Sequence, residues 1–138
     1  MVKKIEVVAA IIQHEDKTLC VQRGPSKLAY IHEKFEFPGG KVEVGEQREE
    51  AIKRELNEEL HLNIEHVDYF MTVEHAYPDF HITMHAYLCP VENRKIVLTE
   101  HIQALWLNLD ELTSLDWAAA DVPIVTKLQA NQGGIALC

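Results

Sequence analysis

The sequence predicts an α+β fold, a mixed β-sheet with helices packed on it. Strand-like segments outnumber helical ones, and the two helical segments are separated by hairpins instead of alternating with single strands. Residues 4–13 (KIEVVAAIIQ) are rich in β-formers and mostly apolar, which predicts a buried strand. His14 to Lys17 is a turn, and Thr18–Gln22 forms a second strand that pairs with the first as a hairpin. Residues 24–34 are a loop, and Phe35–Phe37 a short strand ending at Pro38-Gly39-Gly40. Residues 47–60 lack Gly and Pro and are rich in strong helix formers; Ile52, Leu56 and Leu60 supply the apolar stripe. Residues 66–76 and 80–89 read as two strands around the turn Tyr77-Pro78-Asp79. In the second of these, His81, Thr83, His85 and Tyr87 alternate with Ile82, Met84, Ala86 and Leu88, so the two sets face opposite sides. Residues 103–108 form a further strand. A second helix spans Pro123–Ala130, with Pro123 in its first turn and Gly133-Gly134 beyond its end.

No internal repeat, low-complexity stretch or Pro/Gly/Ser linker divides the 138 residues, so residues 1–138 are expected to form one domain. Apolar residues make up 47% and charged residues 25%, which excludes a disordered chain. No apolar run reaches the roughly 18–20 residues that span a bilayer, so no membrane partner is expected. The start, with Lys3 and Lys4 before an apolar stretch, lacks the small-residue cleavage site of a signal peptide. It reads as a first strand in a cytoplasmic protein. Cys20, Cys89 and Cys138 are odd in number and without CxxC spacing, which fits a reducing compartment. The net charge of −9 argues against nucleic acid as a partner, since a backbone binder needs a basic face. His75, His81 and His85 lie on strands, and only His81 and His85 share a face for certain, so they are not read as a zinc site.

The acid is concentrated in one region. Residues 33–65 hold ten glutamates and no aspartate, against five lysines and arginines. On the helix of residues 47–60, Arg54, Glu55, Glu58 and Glu59 fall at spacings of one, three and four, so Glu55 neighbours both Glu58 and Glu59. Like charges so placed destabilise a helix by about a few tenths of a kcal/mol per pair. A divalent cation removes that cost. Magnesium suits the cluster, because it is held by a few carboxylates, its own waters and substrate phosphates. The competing explanation is a solvated helix face with pairs such as Glu49–Lys53 and Glu50–Arg54.

The spacing of this region resembles the Nudix box. Gly40 is followed after five residues by Glu46, and after seven more by Arg54-Glu55-Leu56-x-Glu58-Glu59-x-His61-Leu62. Every charged position matches. The family's closing Gly is His61 here, at a helix end where a left-handed conformation is needed. Beyond the box, Phe35 to Lys41, Tyr77 to Thr83, Trp106 and Asp121-Val122-Pro123-Ile124 resemble the MutT branch, so the likeness runs from Ile5 to about Leu128.

The resemblance implies the Nudix α/β/α sandwich and hydrolysis of a nucleoside triphosphate to the monophosphate and pyrophosphate. It implies Mg²⁺, with Mn²⁺ able to take its place, and no obligate protein partner. Carried over residue by residue, Glu55, Glu58 and Glu59 are metal ligands, with the Gly39 carbonyl as a further oxygen. Arg54 orients the glutamates, while Gly40 and Glu46 support the loop. Glu100, six residues before Trp106, matches the position of an outside carboxylate, as metal ligand or general base; an exposed loop glutamate is the plainer reading. The attacking water's base is left open between Glu55, Glu59 and Glu100. Arg23 and Lys41 are candidates to meet phosphate, and Phe37, Tyr77 and Phe80 to stack on a base. Asp121 stands where MutT-like enzymes for 8-oxoguanine carry Asn. It is expected to read a cytosine or oxidised-guanine base edge, or else only to cap the last helix. Two other activities stay open: hydrolysis of a dinucleotide such as ADP-ribose, and nucleotide binding without hydrolysis. Modules of the latter kind typically lose box carboxylates, and all are present here.

Overall fold

The computed structural model describes residues 3–136. The strands are β1 (Lys3–His14), β2 (Lys17–Gln22), β3 (Phe35–Glu36), β4 (Gly39–Lys41), β5 (Asp68–Ala76), β6 (Phe80–Pro90) and β7 (Gln103–Asn108). The helices are α1 (Arg48–Leu60) and α2 (Val122–Ala136), with 3-10 turns at Leu109–Ser114 and Ala119–Asp121. In the seven-stranded sheet β3, β2, β1, β6 and β5 lie in that order, with β4 joined to β1 and β7 to β2. The central pair β1–β6 is parallel, from Lys3↔Phe80 to Gln13↔Pro90, and the other pairs are antiparallel.

The period-2 pattern of β6 sorts its side chains onto two cores. Met84 and Ala86 join the core that α2 covers with Ile124, Val125 and Leu128. Tyr87 and Cys89 join the core that α1 covers with Ala51, Ile52, Leu56 and Leu60. This is the helix–sheet–helix sandwich expected, with the α1 stripe buried as its four-residue spacing requires. Cys20 and Cys89 are buried in these cores, and burial pushes both thiols up to about 12; Cys138 lies outside the described residues.

Two elements differ from expectation. α2 continues through Gly133 and Gly134 to Ala136. Glycine in a helix interior costs about 1 kcal/mol relative to alanine, which weakens a helix without stopping it. β4 has no side-chain signature, because Gly39 and Gly40 pair with β1 through backbone alone (Ala9↔Gly39, Val8↔Gly40). That pairing opens the site. Along one edge of β1, Val7–Ala9 hold β4 and only Gln13 and His14 hold β2. A cleft forms where β2 and β3 diverge from β1 and β4. Among the described residues, no helix is long and apolar enough to cross a membrane.

Candidate active site

Arg54 ties the loop that precedes α1 to the helix. Its guanidinium forks onto Glu46, Nε to Oε2 at 2.7 Å and Nη2 to Oε1 at 2.9 Å. Nη2 also donates to the Lys41 carbonyl at 3.0 Å, and Nη1 to Glu55 at 3.1 Å and Glu58 at 3.4 Å. The Glu43 N–H closes the loop onto Glu46 Oε1 at 3.0 Å. Bidentate pairing of this kind fixes geometry as well as charge. The Arg54 bonds pull the Glu46 carboxyl down from 4.5 to about 2. A depressed carboxyl stabilises the fold fully above its unfolded pKa. The loop's contribution is therefore complete above about pH 4.5 and lost as pH falls through about 2. Acid titration followed at the Glu43 amide by NMR should show this transition, and Glu46→Gln should abolish it.

The far end of α1 positions the carboxylates. His61 takes the left-handed conformation (φ 53°, ψ 38°), and the Leu62 N–H returns to the Leu56 carbonyl at 3.2 Å. Histidine thus fills the turn expected of glycine. The segment before β7 then caps the helix: Val97 N–H bonds the Leu60 carbonyl, Thr99 N–H the Glu59 carbonyl, and Thr99 Oγ1 the Glu58 carbonyl. Those bonds, which span 40 residues from Glu59 to Thr99, bring the adjoining Glu100 and His101 to the glutamates of α1.

Glu55, Glu58, Glu59 and Glu100 line a cleft of about 580 Å³ with Arg23, Glu36, Gly39, Gly40, Lys41 and His101. Glu59 is buried. Desolvation, with Glu55, Glu36 and Glu100 nearby, lifts its carboxyl to about 9 against the Gly39 N–H bond. Glu55 is raised as well, mainly by burial, with Arg54 opposing. Glu58 and Glu100 are exposed at the rim. Gly40 is required here because a Cβ would overlap the Glu55 carboxylate.

The donor set suits a hard divalent cation: four carboxylates line one cleft, and burial disfavours the charged form of Glu55 and Glu59 without a cation. Among the described residues, no three His, Cys, Asp or Glu side chains already form a closed metal-holding group. Arg54 engages Glu55 and Glu58, and His101 Nε2 lies 3.7 Å from Glu59.

A narrower pocket of about 140 Å³ opens off the cleft and shares Arg23, Glu36, Gly39 and Gly40 with it. Phe37, Tyr77, Phe80 and Asp121 line it. Phe37 is buried and stacked on Trp117 at 4.7 Å, so it is committed to the core as well as to the wall. Tyr77 stacks on Tyr30 at 5.0 Å, and its hydroxyl accepts the Ala120 N–H at 3.0 Å. Phe80 tilts against Tyr77. Asp121 is buried and accepts the Phe37 N–H at 3.0 Å, a contact 84 residues away in sequence, so its side chain joins the β3–β4 turn to α2 and is more than a local cap. Burial, with Glu36 near, raises its carboxyl well above the ordinary range.

Sequence reasoning missed Glu36 and His101. Glu36 donates nothing and accepts twice, from Arg23 Nη1 at 3.4 Å and from His101 Nε2 at 3.0 Å. Its signal was available: in Phe35-Glu36-Phe37 the charged residue alternates with two core aromatics and must face away from them.

A family model for the NUDIX domain matches residues 3–128. The chain is 33% identical over 127 residues to an 8-oxo-dGTP diphosphatase of Escherichia coli K12, covering 92% of this chain and 98% of that protein. It is 34% identical over 129 residues to a CTP pyrophosphohydrolase of the same organism, covering 93% of each. The solution structure of the E. coli ORF135 protein superposes with a TM-score of 0.82 at 32% identity, over 96% of this chain and 94% of that one. With that domain running through nearly all of its length, the chain belongs to the Nudix family of hydrolases.

Proposed function

We propose that this protein is a Mg²⁺-dependent nucleoside triphosphate pyrophosphohydrolase that removes oxidised guanine nucleotides, 8-oxo-dGTP foremost, from the nucleotide pool, with Mn²⁺ able to replace Mg²⁺. The observation that carries the reading is a pair of adjoining cavities that share Arg23, Glu36, Gly39 and Gly40. The wide part is lined by the box carboxylates, and the narrow part by a buried, hydrogen-bonded Asp121 with Phe37, Tyr77 and Phe80. Nudix hydrolases generally use divalent metal ions and take nucleotide substrates.

Glu55, Glu58, Glu59 and Glu100 would hold the ions, with Gly39 beside Glu59 as a backbone contributor. Bound there, the ions neutralise phosphate charge and help position the attacking water. Arg54 holds Glu55 and Glu58 in place from the side. Arg23 and Lys41 line the wide part of the cavity, where the triphosphate lies, and offer positive charge to it. The water oxygen forms a bond to phosphorus, the bond to pyrophosphate breaks, and the water's proton passes to a carboxylate oxygen. Glu55, Glu59 and Glu100 are the carboxylates able to receive it.

Asp121 carries the choice of base. Burial favours the uncharged form of its carboxyl, and in that form one oxygen accepts from Phe37 while the other offers an O–H donor. That is the donor-plus-acceptor pair an Asn offers, and it matches an oxidised guanine edge. A cytosine amine needs only an acceptor, and the likeness to a CTP pyrophosphohydrolase favours cytosine nucleotides as the second reading. Pyrophosphate release across 8-oxo-dGTP, dGTP, dCTP, CTP and 5-methyl-dCTP separates the two. The expected ranking places 8-oxo-dGTP first. Asp121→Ala should lower kcat/KM for it about 10–100-fold, and Asp121→Asn should stay within about tenfold. A ranking that Asp121→Ala leaves unchanged would remove Asp121 from base recognition.

A further inference from the structure

His101 is a poor choice for packing alone. Its side chain is only 5% exposed, Nε2 is engaged, and Nδ1 is buried without a hydrogen-bond partner among the described residues. An apolar residue of similar size would leave no such orphan. What the imidazole does is hold Glu36. Nε2 faces the Glu36 carboxylate at 3.0 Å, so the ring carries its proton on that nitrogen. Glu36 presents its other oxygen to Arg23 Nη1 at 3.4 Å. Arg23 is half exposed at the end of β2, where nothing else among its recorded contacts fixes the guanidinium. The chain His101–Glu36–Arg23 thus crosses the junction where the wide cleft meets the narrow pocket, starting within 3.7 Å of Glu59.

We infer that His101 and Glu36 are positioning residues that aim the Arg23 guanidinium at the phosphates of the bound nucleotide. Glu36 alone is a flexible carboxylate next to an acidic cluster. A hydrogen bond from His101 keeps it turned toward Arg23. Without that bond, Glu36 is free to swing toward the cations that the glutamates hold, and Arg23 loses its fixed direction. The inference rests on the nucleotide-hydrolase reading for its substrate, but its core is a statement about a phosphate-binding arginine.

The test compares His101→Leu with His101→Gln, whose amide N–H can replace the Nε2 donor. For each, kcat and KM for 8-oxo-dGTP, the thermal midpoint, and the Kd of inorganic pyrophosphate with Mg²⁺ are measured. His101→Leu should raise KM and the pyrophosphate Kd about tenfold, with kcat changed less than about threefold, and His101→Gln should recover most of that loss. Glu36→Gln should mimic His101→Leu. Unchanged KM and Kd in the leucine variant would overturn the inference. So would equal losses in both His101 variants that track a lowered thermal midpoint, since that marks a packing role. Should the wild-type protein hydrolyse no nucleotide, the activity reading fails by itself, and pyrophosphate affinity still decides this inference. A wild-type protein that binds no pyrophosphate overturns it.

Discussion

Replacing Glu59 by glutamine should lower pyrophosphate release by at least about 10²-fold while raising the melting temperature of the metal-free protein. The two effects share one cause. Glu59 sits buried on α1 with Glu55, Glu36 and Glu100 around it, and its carboxyl is lifted from 4.5 to about 9. A carboxyl raised on folding binds its proton more tightly in the native state than in the unfolded one. Stability then falls as pH rises from about 4.5 to about 9. Glutamine keeps the shape and removes the ionisation, so the variant should be flatter with pH and more stable near neutrality. For a chain of this size each kcal/mol is about 2–4 °C. The same substitution removes the charge a cation needs, and preorganised charge of this kind is worth about 10²–10³ in rate. Thermal scans with and without Mg²⁺ check the pair of effects: the cation should stabilise the wild type more at pH 8 than at pH 6, and Glu59→Gln less than the wild type at both. Near-normal turnover in Glu59→Gln would refute its place at the metal.

The adjoining glycines should fail in opposite ways when changed to alanine. At Gly39 the added Cβ runs into the Val8 carbonyl oxygen and nearby backbone of β1. Backbone cannot yield without breaking the β1–β4 pairing, so Gly39→Ala should destabilise by about 1–3 kcal/mol or more and impair folding. At Gly40 the Cβ meets only the carboxylate end of Glu55. That end can move, so Gly40→Ala should fold with nearly the wild-type melting temperature. Its displaced Glu55 should reduce turnover about 10–100-fold, the loss expected when a ligand's placement is spoiled. Equal melting temperatures for the two variants, or full activity in Gly40→Ala, would contradict this account of the loop.

Much of the architecture was legible because periodicity records burial. The four-residue run Ala9-Ala10-Ile11-Ile12 of β1 marks a strand buried on both faces, the alternation in β6 and the Ile52–Leu56–Leu60 stripe each name a face, and the two faces became the two cores. The carboxylates of α1 were legible because helical spacing places them together before any tertiary contact forms. Glu100 could be placed only by likeness to a family, since its approach depends on Val97 and Thr99 capping the end of α1. β4 was invisible because two glycines carry no side-chain pattern, and its pairing is made by backbone. Glu36 and His101 escaped for a different reason. Their contact spans 65 residues and joins β3 to the segment before β7, a meeting created by sheet topology and encoded in neither local stretch. The end of α2 was misread because Gly133-Gly134 is a common stop signal that a helix can also pass through.

The most direct test of the whole account is product analysis of purified protein with 8-oxo-dGTP and Mg²⁺. One pyrophosphate is expected for each 8-oxo-dGMP, with no orthophosphate and no turnover in the presence of EDTA. Orthophosphate as the product, turnover undiminished by EDTA, or activity confined to dinucleotides such as ADP-ribose would contradict it.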